Sequence, residues 1–247
     1  MKEAEQKQTW YLPIGSAVHV AIEAHLKGEP YDLDQIFYDL IKRQMAIESD
    51  TSSWLHGGSD DEPVVEERAL KRAQECLEKG LEFVKDIEVW EIEYDASGSL
   101  PGLSIPIKAF IDIMGGHKKY GPVILDWKTG RQKPKDNFQL ETYQALLLER
   151  EWLKDYTSGK QHTFTGLWAM LAPQASKARP VDLSNVSPKD VGAKYQAVYE
   201  KMQQKLYPTQ AGYNCRFCFH QENCKLNAGR TPRALYYDTA EEDGYPF

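Results

Sequence analysis

One stretch constrains the fold of this chain more than any other: KAFIDIMGGHKKYGPVILDWKTGRQKPKDNFQLETYQ, from Lys108 to Gln144. It reads as two strands, a loop and a helix. On the first strand Ile105, Ile107, Ala109, Ile111 and Ile113 fall on one face, and Lys108, Phe110, Asp112 and Met114 on the other. That is the period of two expected of a strand with one buried side. GGHKKYG supplies a glycine-rich reversal. The second strand sets Val123, Leu125 and Trp127 against Ile124, Asp126 and Lys128. A hairpin symmetric about Lys118 puts Asp112 opposite Ile124 and diagonal to Asp126. Such diagonal neighbours lie about 7–8 Å apart at the backbone, within reach of one shared divalent ion. Lys128 points the same way as Asp126.

The ordinary alternative is a hairpin with a wet outer face, since charged side chains are mostly exposed. The company of these residues argues otherwise. Asp126 and Lys128 stand in a strand that is otherwise Val, Ile, Leu and Trp, followed at once by a basic loop and a helix. Two carboxylates can hold a hard cation through oxygen. The cation activates water and offsets phosphate charge, and a lysine ammonium stabilises the attacking group or the transition state. The pattern therefore points to metal-assisted phosphodiester cleavage.

The remaining chain supplies helices, strands and one long polar loop. Residues 13 to 27 form a helix that Pro13 can open and Gly28 can close, with Ile14, Ala17, Val18, Ala21 and Ile22 as its apolar stripe. Gly15 and His19 share a flank of that stripe, so the glycine leaves room beside the imidazole. Residues 33 to 48 and about 64 to 86 read as two more helices, separated by the polar loop SDTSSWLHGGSDDEP. Ile87 to Tyr94 is a strand, and ASGSLPGL turns the chain into the central hairpin. A helix over about 137 to 153 carries Gln139 and Tyr143 one turn apart, on a face near the hairpin. His162 to Leu171 is a further strand and Pro188 to Leu206 a further helix. The tail after Gly229 reads as irregular.

Taken in order, Gly15-x-x-x-His19, then IDI with Asp112, ILDWKTG with Asp126 and Lys128, and QLETY with Gln139 and Tyr143 resemble the motifs of RecB-type nucleases of the PD-(D/E)XK superfamily. The likeness extends to single-domain members such as the exonucleases of CRISPR adaptation and their phage-borne relatives, and covers about residues 13 to 228. It implies an α/β fold: a restriction-endonuclease-like core of small mixed sheet flanked by helices, with a cysteine-bearing C-terminal module. It implies that His19, Asp112 and Asp126 are ligands of Mg2+ or Mn2+ and that Lys128 is the catalytic lysine. Gln139 and Tyr143 would support the site or the DNA. Related nucleases often carry an acidic residue before the hairpin, which makes Glu93 a further candidate, with an exposed strand glutamate as the ordinary alternative.

Of the four cysteines, Cys215, Cys218 and Cys224 form Cys-x2-Cys-x5-Cys in NCRFCFHQENCK. Thiolates this close suit a soft metal centre, and a disulfide is not expected in a reducing cytosol. By the resemblance this triplet belongs to a [4Fe-4S] cluster whose fourth cysteine stands upstream of the Gly-x-x-x-His helix, where this sequence has none. Either the chain begins late, or Cys76 replaces that ligand, or His220 completes a Cys3His zinc site. Cys76 by itself reads as a buried helix residue.

With 247 residues, 41% of them hydrophobic, the chain can bury a core, and no linker divides it. One nuclease domain over 1–247 is expected, with the cysteine module at 207–228 inside it. No apolar run is long enough to span a bilayer and MKEAEQKQTW is not a signal peptide, so a soluble, cytoplasmic chain is expected, in a host cell if it is phage-encoded. The net charge of −7 argues against broad coating of nucleic acid. Locally, Lys118, Lys119, Lys128, Arg131, Lys133 and Lys135 face only Asp126, a basic rim for the proposed site. The expected activity is that of a DNA exonuclease on single strands or ends in recombination or repair, beside a helicase, an annealing protein or an integrase. The rivals are a DNA-binding adaptor that has lost turnover, a CRISPR spacer-processing nuclease and an RNA nuclease.

Overall fold

A computed structural model describes residues 11–45, 65–130, 134–150, 163–173 and 177–204. Three helices come first: α1 (Tyr11–Lys27), α2 (Leu33–Met45) and α3 (Val65–Val84). Strands β1 (Ile87–Asp95), β2 (Phe110–His117) and β3 (Gly121–Lys128) follow, then α4 (Phe138–Glu149), β4 (Thr165–Met170), β5 (Lys177–Asp182) and α5 (Pro188–Gln203). Helix α1 stops where expected. Gly28 takes φ +70°, its N–H bonds the His25 carbonyl, and the Glu29 N–H bonds the Ala24 carbonyl, which satisfies two of the last carbonyls of the helix.

The five strands form one sheet in chain order. β1, β2 and β3 are antiparallel neighbours, β3 and β4 are parallel with α4 as the crossover, and β5 returns antiparallel on the edge. Helices α1 to α3 pack on one face over Ile113, Val123, Leu125, Trp127, Leu167 and Ala169. On the other face Leu140, Leu146 and Leu147 of α4 and Val191 of α5 pack with Met114, Ile124, Trp168 and Met170. Both faces of the central strands β2, β3 and β4 are therefore dry. A sheet covered on both sides has near-continuously apolar central strands, which is why β3 reads PVILDW and β4 reads GLWAM. Each large side chain buried there is worth about 1.5–3 kcal/mol.

Three sequence expectations need correction. The strands are not buried on one side only: Met114 and Ile124, on the side given to Asp112 and Asp126, are fully buried too, which also removes the alternative of a wet outer face. The strand begins at Phe110, not Ile105, which is 39% exposed. Residues 96–109 instead fold back on themselves, with the Ala96 N–H on the Ala109 carbonyl and Gly98 bridged to Ile107. Gly115, Gly116 and His117 extend β2 rather than turning it. A Cβ on Gly115 would sit 2.5 Å from the Glu88 carbonyl oxygen, so that glycine serves the close approach of β1.

β5 was not anticipated. Its sequence, KARPVD, carries a proline and three charges, which an edge strand tolerates and a central one does not. The C-terminal cysteine module lies outside the described residues. Among the described residues, no helix is long and apolar enough to cross a membrane.

Candidate active site

The β2–β3 ladder runs from His117↔Gly121 to Ile113↔Leu125 and ends there. One residue further, the same register sets Asp112 opposite Asp126. The hairpin is thus centred on Lys119, not Lys118, and Asp112 faces Asp126 instead of Ile124. The difference is two residues across the pair, which leaves every side chain on its face. Where the ladder ends, the Trp127 N–H turns to the Asp112 side chain, 2.7 Å from Oδ2. Ile111 and Ile113, two apart, belong to opposite halves of the core, so β2 rolls over at Asp112.

β1 contributes through an irregularity. Ile87, Glu88 and Val89 pair with His117, Gly116 and Gly115, but Glu91 pairs with Met114, so one extra residue is inserted after Val89. Beyond it Ile92↔Ile113 and Tyr94↔Ile111 place Glu93 across from Asp112. Without the bulge Ile92 would stand there. Glu93 has φ +49°, a left-handed conformation costing about 1–2 kcal/mol for a residue with a Cβ. Strain of this kind persists where surrounding structure imposes it, often at functional sites.

Helix α1 brings His19 to the same place, with Nδ1 3.5 Å from Asp112 Oδ1. On the other side, Asp126 Oδ2 is ion-paired with the Lys128 ammonium. Gln139 ties the remaining groups together. Its Nε2 donates to Asp126 Oδ1 (2.6 Å) and to the Tyr143 hydroxyl (2.7 Å), and its Oε1 accepts from Lys128 Nζ (3.2 Å). His19, Glu93, Asp112, Asp126, Lys128, Gln139 and Tyr143 therefore form one contiguous constellation. The family model of the PD-(D/E)XK nuclease superfamily matches residues 2–225. The chain belongs to that superfamily. No curated protein matches it significantly in sequence.

In this PD-(D/E)XK nuclease the electrostatics follow from crowding acids in a dry place. Burial first, then the charge of Asp112, pushes the Asp126 carboxyl up to about 6, against the pull of Lys128. Glu93 is raised by burial and by Asp112. Burial alone would lower the His19 imidazole, but its hydrogen bond to Asp112 and the charges of Asp112, Asp126 and Glu93 outweigh that and raise it. Burial and the nearby Asp126 charge likewise raise the Tyr143 phenol, so its hydroxyl stays protonated. The cluster carries more negative charge than its own cations offset, a demand that a divalent cation meets.

The donor set fits such an ion. Among the described residues His19, Glu93 and Asp112 offer donor atoms all within 4.8 Å of one another. Two carboxylates and an imidazole are hard or borderline ligands for a divalent cation, unlike a thiolate site. The structure thus brings the further candidate Glu93 beside His19 and Asp112, while the Asp126 oxygens are turned to Lys128 and Gln139. In the sequence Glu93 is a candidate by resemblance alone, since the bulge that aims it at Asp112 is not written in the alternation of EIEYD.

Other expectations fare differently. Gly15 does not make room for the imidazole; a Cβ there would lie 3.5 Å from Thr129 Oγ1, so its bare side faces the end of β3. The basic rim is smaller than its sequence suggested. Lys118 and Lys119 sit in the hairpin turn, six or more residues along β2 from Asp112, roughly 20 Å away. There Lys118 pairs with Asp86 at 2.8 Å and Lys119 lies over the Tyr120 ring. Arg131 and Lys133 lie outside the described residues. So do Cys215, Cys218, His220 and Cys224. Cys76 is fully buried in α3, among the residues packed against α1, and burial pushes its thiol up to about 11.

Proposed function

We propose that this nuclease is a deoxyribonuclease that hydrolyses phosphodiester bonds with Mg2+ or Mn2+, working as an exonuclease on single strands or free ends. The observation that carries the reading is the shared contact of Asp126, Lys128 and Gln139 beside the His19, Glu93 and Asp112 donor group. His19, Asp112 and Asp126, joined by Glu93, would hold the cation. When bound, that ion supplies Lewis-acid polarisation of the phosphoryl oxygen and a more acidic water. The Lys128 ammonium, aimed by Asp126 and Gln139, stabilises charge that develops on the attacking and non-bridging oxygens. Gln139 keeps the Asp126 carboxylate and the ammonium in one orientation, and Tyr143 fixes Gln139 in turn.

The C-terminal triplet Cys215, Cys218 and Cys224 is proposed to hold a [4Fe-4S] cluster, with Zn2+ completed by His220 as the alternative. The buried, high-pKa thiol of Cys76 favours a packing role over ligation for that residue. Work in recombination or repair beside a helicase, an annealing protein or an integrase is proposed on family likeness alone.

Digestion of end-labelled single- and double-stranded DNA, with matched RNA, tests activity, substrate and direction together. Cleavage from the label only with Mn2+ or Mg2+ is the expected result. No cleavage of any DNA despite binding would replace the reading with that of a binding protein on a nuclease fold, and cleavage without a divalent ion would remove the ion from it.

A further inference from the structure

The site contains one aromatic contact that the nuclease reading does not use. Trp168 lies on β4 in register with Asp126 and is fully buried. The Lys128 ammonium sits 5.0 Å from the centre of its ring. Its indole N–H donates to Asn137 Oδ1 at 3.1 Å, and Asn137 is the N-cap residue of α4, two positions before Gln139. We propose that Trp168 is a positioning residue, whose indole face holds the Lys128 ammonium beside Asp126 while its N–H sets the start of α4. The inference rests on the reading above, in which Lys128 acts at the phosphate.

A lysine head on a flexible four-carbon stem needs several contacts to stay in one place. Two of those contacts here have other duties. The Asp126 carboxylate is a ligand of the ion in the proposed function as well as an ion-pair partner, and the Gln139 amide is divided among Asp126, Lys128 and Tyr143. The indole face is different in kind. It attracts a cation through its quadrupole, offers no lone pair to Mg2+ or Mn2+, and takes no proton from the ammonium. It therefore holds Lys128 whatever the carboxylates are doing.

The competing view is that Trp168 merely fills the core under α4. With lysine isotopically labelled, the ε-methylene protons of Lys128 are assigned by their loss in Lys128→Gln. The ring current should shift them upfield of the other lysines; the shift should persist in Trp168→Phe and vanish in Trp168→Met. In single-turnover cleavage with Mn2+, Trp168→Met should be slowed about tenfold, the loss expected for one desolvated cation–π contact. Its Mn2+ and DNA affinities should stay within about twofold of wild type, and Trp168→Phe should recover most of the rate. Methylene protons at the ordinary position in the wild type would overturn the proposal. So would a Trp168→Met protein that cleaves at the wild-type rate, or a Trp168→Phe protein no faster than Trp168→Met at equal melting temperature. The spectrum needs no turnover. A chain that cleaved no DNA would defeat the nuclease reading, while the methylene shift would still decide for or against Trp168.

Discussion

The carboxylate of Asp112 accepts the backbone N–H of Trp127 at 2.7 Å, and this bond spans the place where β2 and β3 stop pairing. One side chain thus has a structural duty and a proposed chemical one, and two substitutions separate them. Asp112→Asn keeps an acceptor for the amide and should melt near the wild type, with cleavage lost. Asp112→Ala leaves a buried N–H unsatisfied and should in addition cost about 1–3 kcal/mol of stability. Equal chemical denaturation midpoints for the two variants would contradict this division.

Lys128 and Gln139 should differ in how much they matter. Lys128→Ala removes the ammonium and should lower the cleavage rate by about a thousandfold, as loss of a transition-state donor does. Gln139→Ala removes the link among Asp126, Lys128 and Tyr143 and should cost about ten- to a hundredfold. Tyr143→Phe, one contact further out, should cost less than Gln139→Ala. Rates on end-labelled DNA, with binding measured separately by fluorescence anisotropy, give the order.

Divalent ions should stabilise the protein through the donor group. At a concentration of Mn2+ a hundred times its Kd, the expected gain is about 2.7 kcal/mol. His19→Ala and Glu93→Gln should each shrink the accompanying rise in melting temperature, and Asp112→Asn should shrink it most. A Glu93→Gln protein with the full wild-type response would remove Glu93 from the ligand set.

Without added metal, Asp126 should make stability fall as pH rises. Its folded pKa, about 6, lies above the ordinary aspartate value near 4. The folded state therefore holds the proton more tightly than the unfolded one. The contribution is fully present below about pH 4 and is lost as pH climbs through about 6, an effect on the order of a few kcal/mol. Urea midpoints across that window should decline in the wild type and decline less in Asp126→Asn.

Cys76 should be inert in the native protein. A buried thiol raised to about 11 carries almost no thiolate at about pH 8. Iodoacetamide followed by peptide mass spectrometry should leave Cys76 unmodified until denaturant is added.

The amino-acid order by itself determined much of this molecule. Alternation in IDIM and ILDWK located the two central strands, and the 3.6 period of PIGSAVHVAIEAHLK located α1. The spacing of Gln139 and Tyr143 put both on one helical flank, since these are local periodicities of the backbone. Placing Asp112 and Asp126 on neighbouring strands survived the two-residue error in register, because a shift of two preserves the pleat. Only the tertiary structure decided the rest. Both faces of the central strands are covered by helices far apart in sequence, so Asp126 is 3% exposed where alternation alone leaves a wet face open. A single inserted residue in β1 swaps Ile92 for Glu93 across from Asp112. Trp168 reaches Lys128 only because β4 lies parallel to β3 after a helical crossover. Bulge, burial and crossover are set by which distant surfaces pack together, and no local period in the chain records that choice.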